Sequence, residues 1–414
     1  MNAKNKLDLL AIASIPLVMT LGNSMLIPVL PVIEKELKIS PLQVSIIITV
    51  YSVVAILLIP VAGYLSDRFG RKKVILPGLL IAGVGGLVSG WAAIALSKPY
   101  WFILVGRLLQ GVGSSGAFPV VLPLVGDLFQ SEKEVSSSLG IIETANTFGK
   151  VLSPIVGAFL AAFAWYLPFW FIPVFCLVSL ILVACFVKSP EKKEEVMSFQ
   201  RFLKNLKGTF KSNGRWLFAI FIVGGIIMFV LFGVLFYLST ILEDQYFIKG
   251  IKKGFVLAVP LLALSICSYI AGKKIGESKK VMKWTTFFGI LLLVVSTLSI
   301  PFIGGLYFLL GALFVSGIGI GVALPCLDAL ITEGIDKEER GTITSLYSSM
   351  RFVGVALGPP IYAIIMKSDD AFIFYTTACF GVIGALFVLF AIKPEKSDQG
   401  EGNSRKERLQ PIIR

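Results

Sequence analysis

Twelve apolar runs of about twenty residues or more follow one another along the chain, near 8–32, 42–66, 74–96, 100–128, 137–163, 165–187, 216–242, 254–275, 281–301, 306–332, 341–366 and 371–392. A helix rises about 1.5 Å per residue, so about twenty residues cross a hydrocarbon core some 30 Å thick. A membrane barrel strand needs only about ten residues, and those alternate apolar with polar. Runs this long and this uniformly apolar predict an all-α integral membrane protein with twelve transmembrane helices. The composition agrees, with 56% of the 414 residues hydrophobic and 15% charged.

The placement of charge predicts how such a chain is oriented. Of the 38 Lys and Arg residues, 28 fall on one side of the predicted spans, 7 on the other and 3 inside. Positive residues collect on the cytoplasmic face, which puts both termini there and predicts a multi-pass plasma-membrane protein. The same asymmetry accounts for the net charge of +13 without a nucleic-acid partner. The first run follows Lys4 and Lys6 as a signal peptide would, yet its length and the lack of a small-residue cleavage site predict that it is retained as a helix. Cys176, Cys185, Cys267, Cys326 and Cys379 lie within apolar runs and have neither metal nor redox spacing, so neither metal nor cofactor is expected.

The longest connection on the basic side, Lys188 to Arg215, carries 8 basic residues. Within it Phe199, Phe202, Leu203, Leu206 and Phe210 recur at helical spacing opposite Arg201, Lys204, Lys207 and Lys211, which predicts an amphipathic helix on the anionic inner leaflet. The expected organisation is a six-helix half over 1–187, this linker over 188–215, a second six-helix half over 216–392, and a disordered cytoplasmic tail over 393–414. An internal repeat supports the two halves. Gly111-Val112-Gly113 with Pro119 in the fourth span returns 206 residues later as Gly317-Ile318-Gly319 with Pro325. Gly149 with Ser153-Pro154 in the fifth returns 205 residues later as Gly354 with Gly358-Pro359 in the eleventh.

Between the second and third spans lies Gly63-Tyr64-Leu65-Ser66-Asp67-Arg68-Phe69-Gly70-Arg71-Lys72-Lys73. A glycine one turn before an acid, then Arg, a spacer, Gly and three cations, resembles the signature loop of the major facilitator superfamily. By this resemblance Gly63, Asp67, Arg68, Gly70 and Arg71 form a conformational latch. Asp67 would meet the positive helix terminus at the start of the eleventh span, near Gly341 and Thr342, tuned by Arg71 and Asp127. In span four, Gly106-Arg107-Leu108-Leu109-Gln110-Gly111 is similar to a second signature of the family, whose buried arginine is linked to proton transfer. In span five, Gly140, Gly149, Ser153-Pro154 and Gly157-Ala158 resemble the signature of the twelve-span drug:proton antiporters, with Ser153 and Ala158 each standing where glycine is usual. Both substitutes are small, so close packing along Gly149, Ser153 and Gly157 is expected to survive, as it is at Gly354, Gly358 and Pro359.

Ionisable groups at bilayer depth are costly, which makes them functional candidates. Five stand clearly inside the predicted spans: Arg107, Glu143, Lys150, Asp328 and Arg351. Glu143, Asn146, Thr147 and Lys150 recur at three- and four-residue steps, a polar stripe suited to a water-filled cavity. With no histidine in the chain, proton coupling is expected to run through carboxylates, Glu143 first and then Asp328, with Arg107 and Asp127 assisting. Asn23, Gln110, Glu143, Asn146, Thr147, Lys150 and Arg351 are the expected cavity lining. Three intramembrane cations stand against two carboxylates, and the first span offers Thr20, Asn23 and Ser24 with no acid beyond Asp8 at its entrance. That balance favours a neutral or anionic ligand, such as a phenolic or catecholate siderophore.

The resemblance implies a proton-coupled multidrug or siderophore exporter that works by alternating access, with a small molecule, protons and inner-leaflet lipids as partners, as a monomer. An exporter dedicated to one anionic metabolite is the alternative within the class; a passive channel or a membrane sensor is the alternative outside it. Neither a Walker-type loop nor a CxxC pair is present to suggest an enzyme.

Overall fold

The computed structural model describes residues 3–129, 132–187, 199–274, 278–335, 337–368 and 370–392. Every regular element among them is helical, and twelve helices are long and apolar enough to cross a membrane. Spans 1 to 6 are Lys6–Leu37, Pro41–Phe69, Arg71–Ala95, Tyr100–Leu128, Ser138–Phe163 and Leu167–Phe186. Spans 7 to 12 are Gly214–Asp244, Gly250–Lys274, Lys279–Ile303, Leu306–Ile331, Ile343–Ile365 and Asp370–Ala391. The expected disordered tail lies outside the described residues.

Local chemistry sets several of the boundaries. Span 2 begins with a reciprocal cap, in which the Ser40 hydroxyl accepts from the Gln43 amide at 3.2 Å and the Gln43 side chain accepts from the Ser40 amide at 2.9 Å, with Pro41 at the first helical position. It ends at Gly70, whose φ of +98° suits a residue without a Cβ, and span 3 starts at the next residue. Span 1 is broken beyond Ser24, where a short 3-10 turn at Ile27–Val29 leads into a helix over Leu30–Leu37. Span 4 is likewise broken between Ala117 and Val121, around Pro119.

The linker differs in part from the expectation. Residues 188–198 lie outside the described set, but from Phe199 the backbone is helical and runs without interruption to Asp244, so 199–215 extends span 7 as one 46-residue helix. No proline interrupts that stretch, and the helix runs through Ser212, Asn213 and Gly214.

Helices pair through their glycines, and the pairings repeat six spans on. A Cβ on Gly113 of span 4 would strike the Gly78 carbonyl of span 3, and one on Gly319 of span 10 would strike the Gly289 carbonyl of span 9. Gly111 faces the Tyr51 carbonyl of span 2, as Gly317 faces the Pro260 carbonyl of span 8. Gly157 of span 5 abuts Met25 of span 1, and Gly354 of span 11 abuts Gly225 of span 7. Among lipid tails there is little hydrophobic drive between helices, so this backbone-to-backbone approach carries much of the packing. Ser153, in place of glycine, is fully buried and turns its hydroxyl back to the Gly149 carbonyl at 2.5 Å, with the Thr20 carbonyl of span 1 at 3.4 Å. Ala158 fits against Gly254 of span 8.

Spans 1–6 meet spans 7–12 mainly through two helix pairs, 2 with 11 and 5 with 8. Thr49 donates to the Ala356 carbonyl at 2.8 Å in the first pair, and Ser265 donates to the Thr147 carbonyl at 3.2 Å in the second.

Candidate functional site

The charged side chains fall into three groups. At the basic end, Arg71 is the hub. Its guanidinium pairs with Asp67 at 2.6 Å and with Asp127 at 3.0 Å, and donates to the Ser66 hydroxyl at 2.7 Å. Gly63, one turn earlier on span 2, lies beside Ser345 of span 11. Arg68 stacks on its neighbour Phe69. Gly341 and Thr342, near which the Asp67 latch is expected to find a helix terminus, lie one turn inside the helix Lys337–Ile365. Asp127, expected among the proton-coupling residues, is drawn into this cluster through its bond to Arg71.

At mid-depth Arg107 is completely buried. It donates to the Ile47 carbonyl at 2.9 Å, the Gln110 side-chain oxygen at 2.5 Å and the Asn23 side-chain oxygen at 2.6 Å, and its guanidinium lies 4.6 Å from the Tyr51 ring centre. Tyr51 in turn bonds the Ser114 hydroxyl at 2.6 Å. Spans 1, 2 and 4 are thereby tied together by one delocalised cation, bonded by neutral acceptors. Tyr51 is a member of this group that sequence reasoning missed, since a tyrosine in an apolar run carries no signal of its own.

The third group spans both sets of six helices. Glu143 accepts from the Asn146 amide at 3.2 Å, and Asn146 accepts from Thr20 of span 1 at 2.7 Å. Asp328 of span 10 faces Arg351 of span 11 at 3.5 Å, and the Arg351 guanidinium lies 5.6 Å from the Tyr347 ring centre. Lys150, Glu143, Asp328 and Arg351 are electrostatic neighbours, so the stripe of span 5 and the charges of spans 10 and 11 form one group. Glu143 bonds within its own helix turn, and the Lys150 ammonium has no hydrogen-bond partner among the described residues although Lys150 is only 8% exposed. It lines a small enclosed space with Ser24, Pro154, Phe232, Leu257 and Leu261.

Accessibility is graded across this group. The Asp328 and Arg351 side chains are 37% and 19% exposed. Glu143 is partly exposed, whereas Lys150, nearer the opposite end, is buried.

Sequence reasoning also missed Glu243 and Lys253, which fall one residue outside the predicted spans and were counted with the loops. Both are buried inside the observed helices, at 5% and 2% exposure, and paired at 2.7 Å. No group of His, Cys, Asp and Glu among the described residues is suited to a metal ion.

Twelve membrane-spanning helices whose pairings repeat six spans on, with charged side chains buried where the two sets meet, define a multi-pass membrane transporter. The chain belongs to the major facilitator superfamily, whose family model matches residues 12–359 and 253–414. It is 56% identical over 393 residues to the bacillibactin exporter of Bacillus subtilis (strain 168), an alignment covering 95% of this chain and 98% of that protein. Multidrug resistance protein 2 of the same organism is 26% identical over 91% of this chain and 93% of its own length. Among solved structures, the human organic anion transporter MFSD10 (TETRAN) superposes with a TM-score of 0.72 at 19% identity, covering 94% of this chain and all of that one.

Proposed function

We propose that the protein exports a siderophore across the plasma membrane in exchange for protons, by alternating access, with the basic end and both termini in the cytoplasm. The observation that carries this reading is Lys150: a buried ammonium with no hydrogen-bond partner among the described residues, set in a group of charges to which both sets of six helices contribute. A buried cation without a partner is costly, so a site that retains one is suited to a ligand that brings the anion. A phenolic or catecholate oxygen fits that requirement. The name of the 56% identical relative supports the siderophore class, and bacillibactin is the first ligand to test.

Glu143 and Asp328 are the proton-coupling carboxylates in this reading. They differ in what surrounds them: Asp328 faces Arg351, whereas Glu143 bonds neutral Asn146. Arg107, Gln110 and Asn23 hold the N-terminal helices in register beside the cavity, and the Asp67–Arg71–Asp127 cluster serves the conformational latch at the cytoplasmic mouth.

The experiment is transport by the purified protein in liposomes, comparing bacillibactin with a lipophilic cationic dye under the same pH gradient. Uphill movement of bacillibactin with little movement of the dye supports this function. The relation to multidrug resistance protein 2 supports a second reading, a broad drug exporter, which the dye arm separates: strong dye transport replaces the anionic assignment with that one.

A further inference from the structure

At the end opposite the latch, a second set of charges joins the two halves, and neither the cavity nor the latch uses it. Glu243, at the end of span 7, places one carboxylate oxygen 2.7 Å from the Lys253 ammonium of span 8 and the other 3.0 Å from the Lys35 ammonium at the end of span 1. Lys35 also pairs with Asp244 at 2.8 Å. The two lysines differ in setting, since the Lys253 side chain is 2% exposed and that of Lys35 is 54% exposed. They differ also in which body they belong to. Glu243 and Lys253 sit on consecutive helices of the same six, joined by a short turn in which Phe247 has positive φ. Lys35 comes from the other six helices.

The layer beneath is also a contact between the halves. Ser239 donates to the Ile27 carbonyl at 2.9 Å, and Gly254 lies against the Pro154 carbonyl. Leu257, one turn below Lys253, lines the same enclosed space as Lys150 and Ser24. The three charges therefore lie directly above the space that holds Lys150.

We propose that Lys35, Glu243 and Lys253 form the outer gate of the transporter, with Lys35 the contact that breaks and Lys253 a positioning residue that keeps Glu243 paired when it does. The proposal takes its sense of outer and inner from the orientation under the proposed function. Two cations on one carboxylate solve a specific problem. A clasp of two charges would leave a buried carboxylate alone on opening, which is strongly unfavourable. With Lys253 on the same six helices, Glu243 keeps a cation on opening, and the ion pairs that break are the half-exposed ones of Lys35, weak enough to part in each cycle.

The test uses a Ser24→Cys reporter, since Ser24 lines the space under the gate, and follows its labelling by a membrane-impermeant thiol reagent in right-side-out vesicles. Removing Lys35 with Lys35→Gln should raise the labelling rate about threefold, the effect of losing a half-exposed ion pair. Lys35→Arg, which keeps the cation, should restore the slower rate. Because Lys35 is exposed, neither change threatens folding, which a thermal melt in detergent checks. An equal rate in the Lys35→Gln and unaltered backgrounds overturns the gate, and so does failure of Lys35→Arg to restore the slow rate. A separate Lys98→Cys variant, in the loop between spans 3 and 4, reports orientation. If Lys98→Cys is labelled only in inverted vesicles, the proposed orientation fails, and the same Lys35 comparison made in inverted vesicles then decides whether these residues gate that end.

Discussion

Arg107 and Lys150 are both cations deep in the membrane-spanning region, and their surroundings assign them different work. Arg107 meets three oxygens and a ring from three helices, and each acceptor it satisfies is buried or nearly so. Replacing it with alanine orphans those acceptors at about 1–3 kcal/mol each, so Arg107→Ala is expected to lower the melting temperature sharply in detergent as well as to abolish transport. Lys150 bonds no acceptor among the described residues, so Lys150→Gln removes a charge whose burial was already costly. Its melting temperature should be unchanged or higher, while affinity for an anionic siderophore measured by calorimetry should fall about tenfold or more, the worth of one charge-assisted hydrogen bond. Equal loss of affinity for neutral ligands would assign Lys150 to structure. Much of this was legible in the sequence, because the three- and four-residue steps of Glu143, Asn146, Thr147 and Lys150 on one helix carry their own geometry. Not all of the partners were. The family resemblance joined Asp67 to Arg71 and Asp127, whereas no spacing brings Lys150 of span 5 near Asp328 of span 10, which is a neighbour only in the folded chain.

Among the helices, small residues decide which pairs approach. Gly113 and Gly319 occupy equivalent contacts, the first on span 3 and the second on span 9, and in both the obstacle to a side chain is backbone. Gly113→Leu and Gly319→Leu are each expected to lose most of the folded protein, read as the monodisperse peak in detergent chromatography, whereas Gly126→Ala, with open space at its Cβ position, should behave as the parent. A normal peak for Gly113→Leu would mean that spans 3 and 4 pack differently. The repeated Gly-x-Gly and Gly-Pro patterns marked these contacts in advance, since their offsets of 206 and 205 residues align span with span. Helix ends were harder to read. The linker's helix joins span 7 without a break, and Glu243 and Lys253 lie inside their helices, because hydropathy falls at a charge whether the residue faces water or a partner.

Over the whole molecule, the distribution of charge along the membrane normal is the signal for orientation. The basic excess predicts that cysteines introduced at Arg215 and Lys274 react with an impermeant reagent only after cells are opened, while one at Lys98 reacts in intact cells. The reverse pattern would invert the topology. Under the proposed function these are the two faces of an alternating-access cycle, with the Asp328–Arg351 pair toward the cytoplasm and the Lys35–Glu243 pair toward the outside. The central claim is that proton movement through Glu143 drives that cycle. It is tested most directly in proteoliposomes under an imposed pH gradient, by measuring whether bacillibactin is concentrated beyond equilibrium by the parent and by Glu143→Gln. The account predicts several-fold accumulation by the parent, and equilibration without accumulation by the variant, since glutamine keeps the shape and loses the titration. Accumulation by Glu143→Gln to the level of the parent, or equilibration by the parent regardless of the gradient, would contradict it.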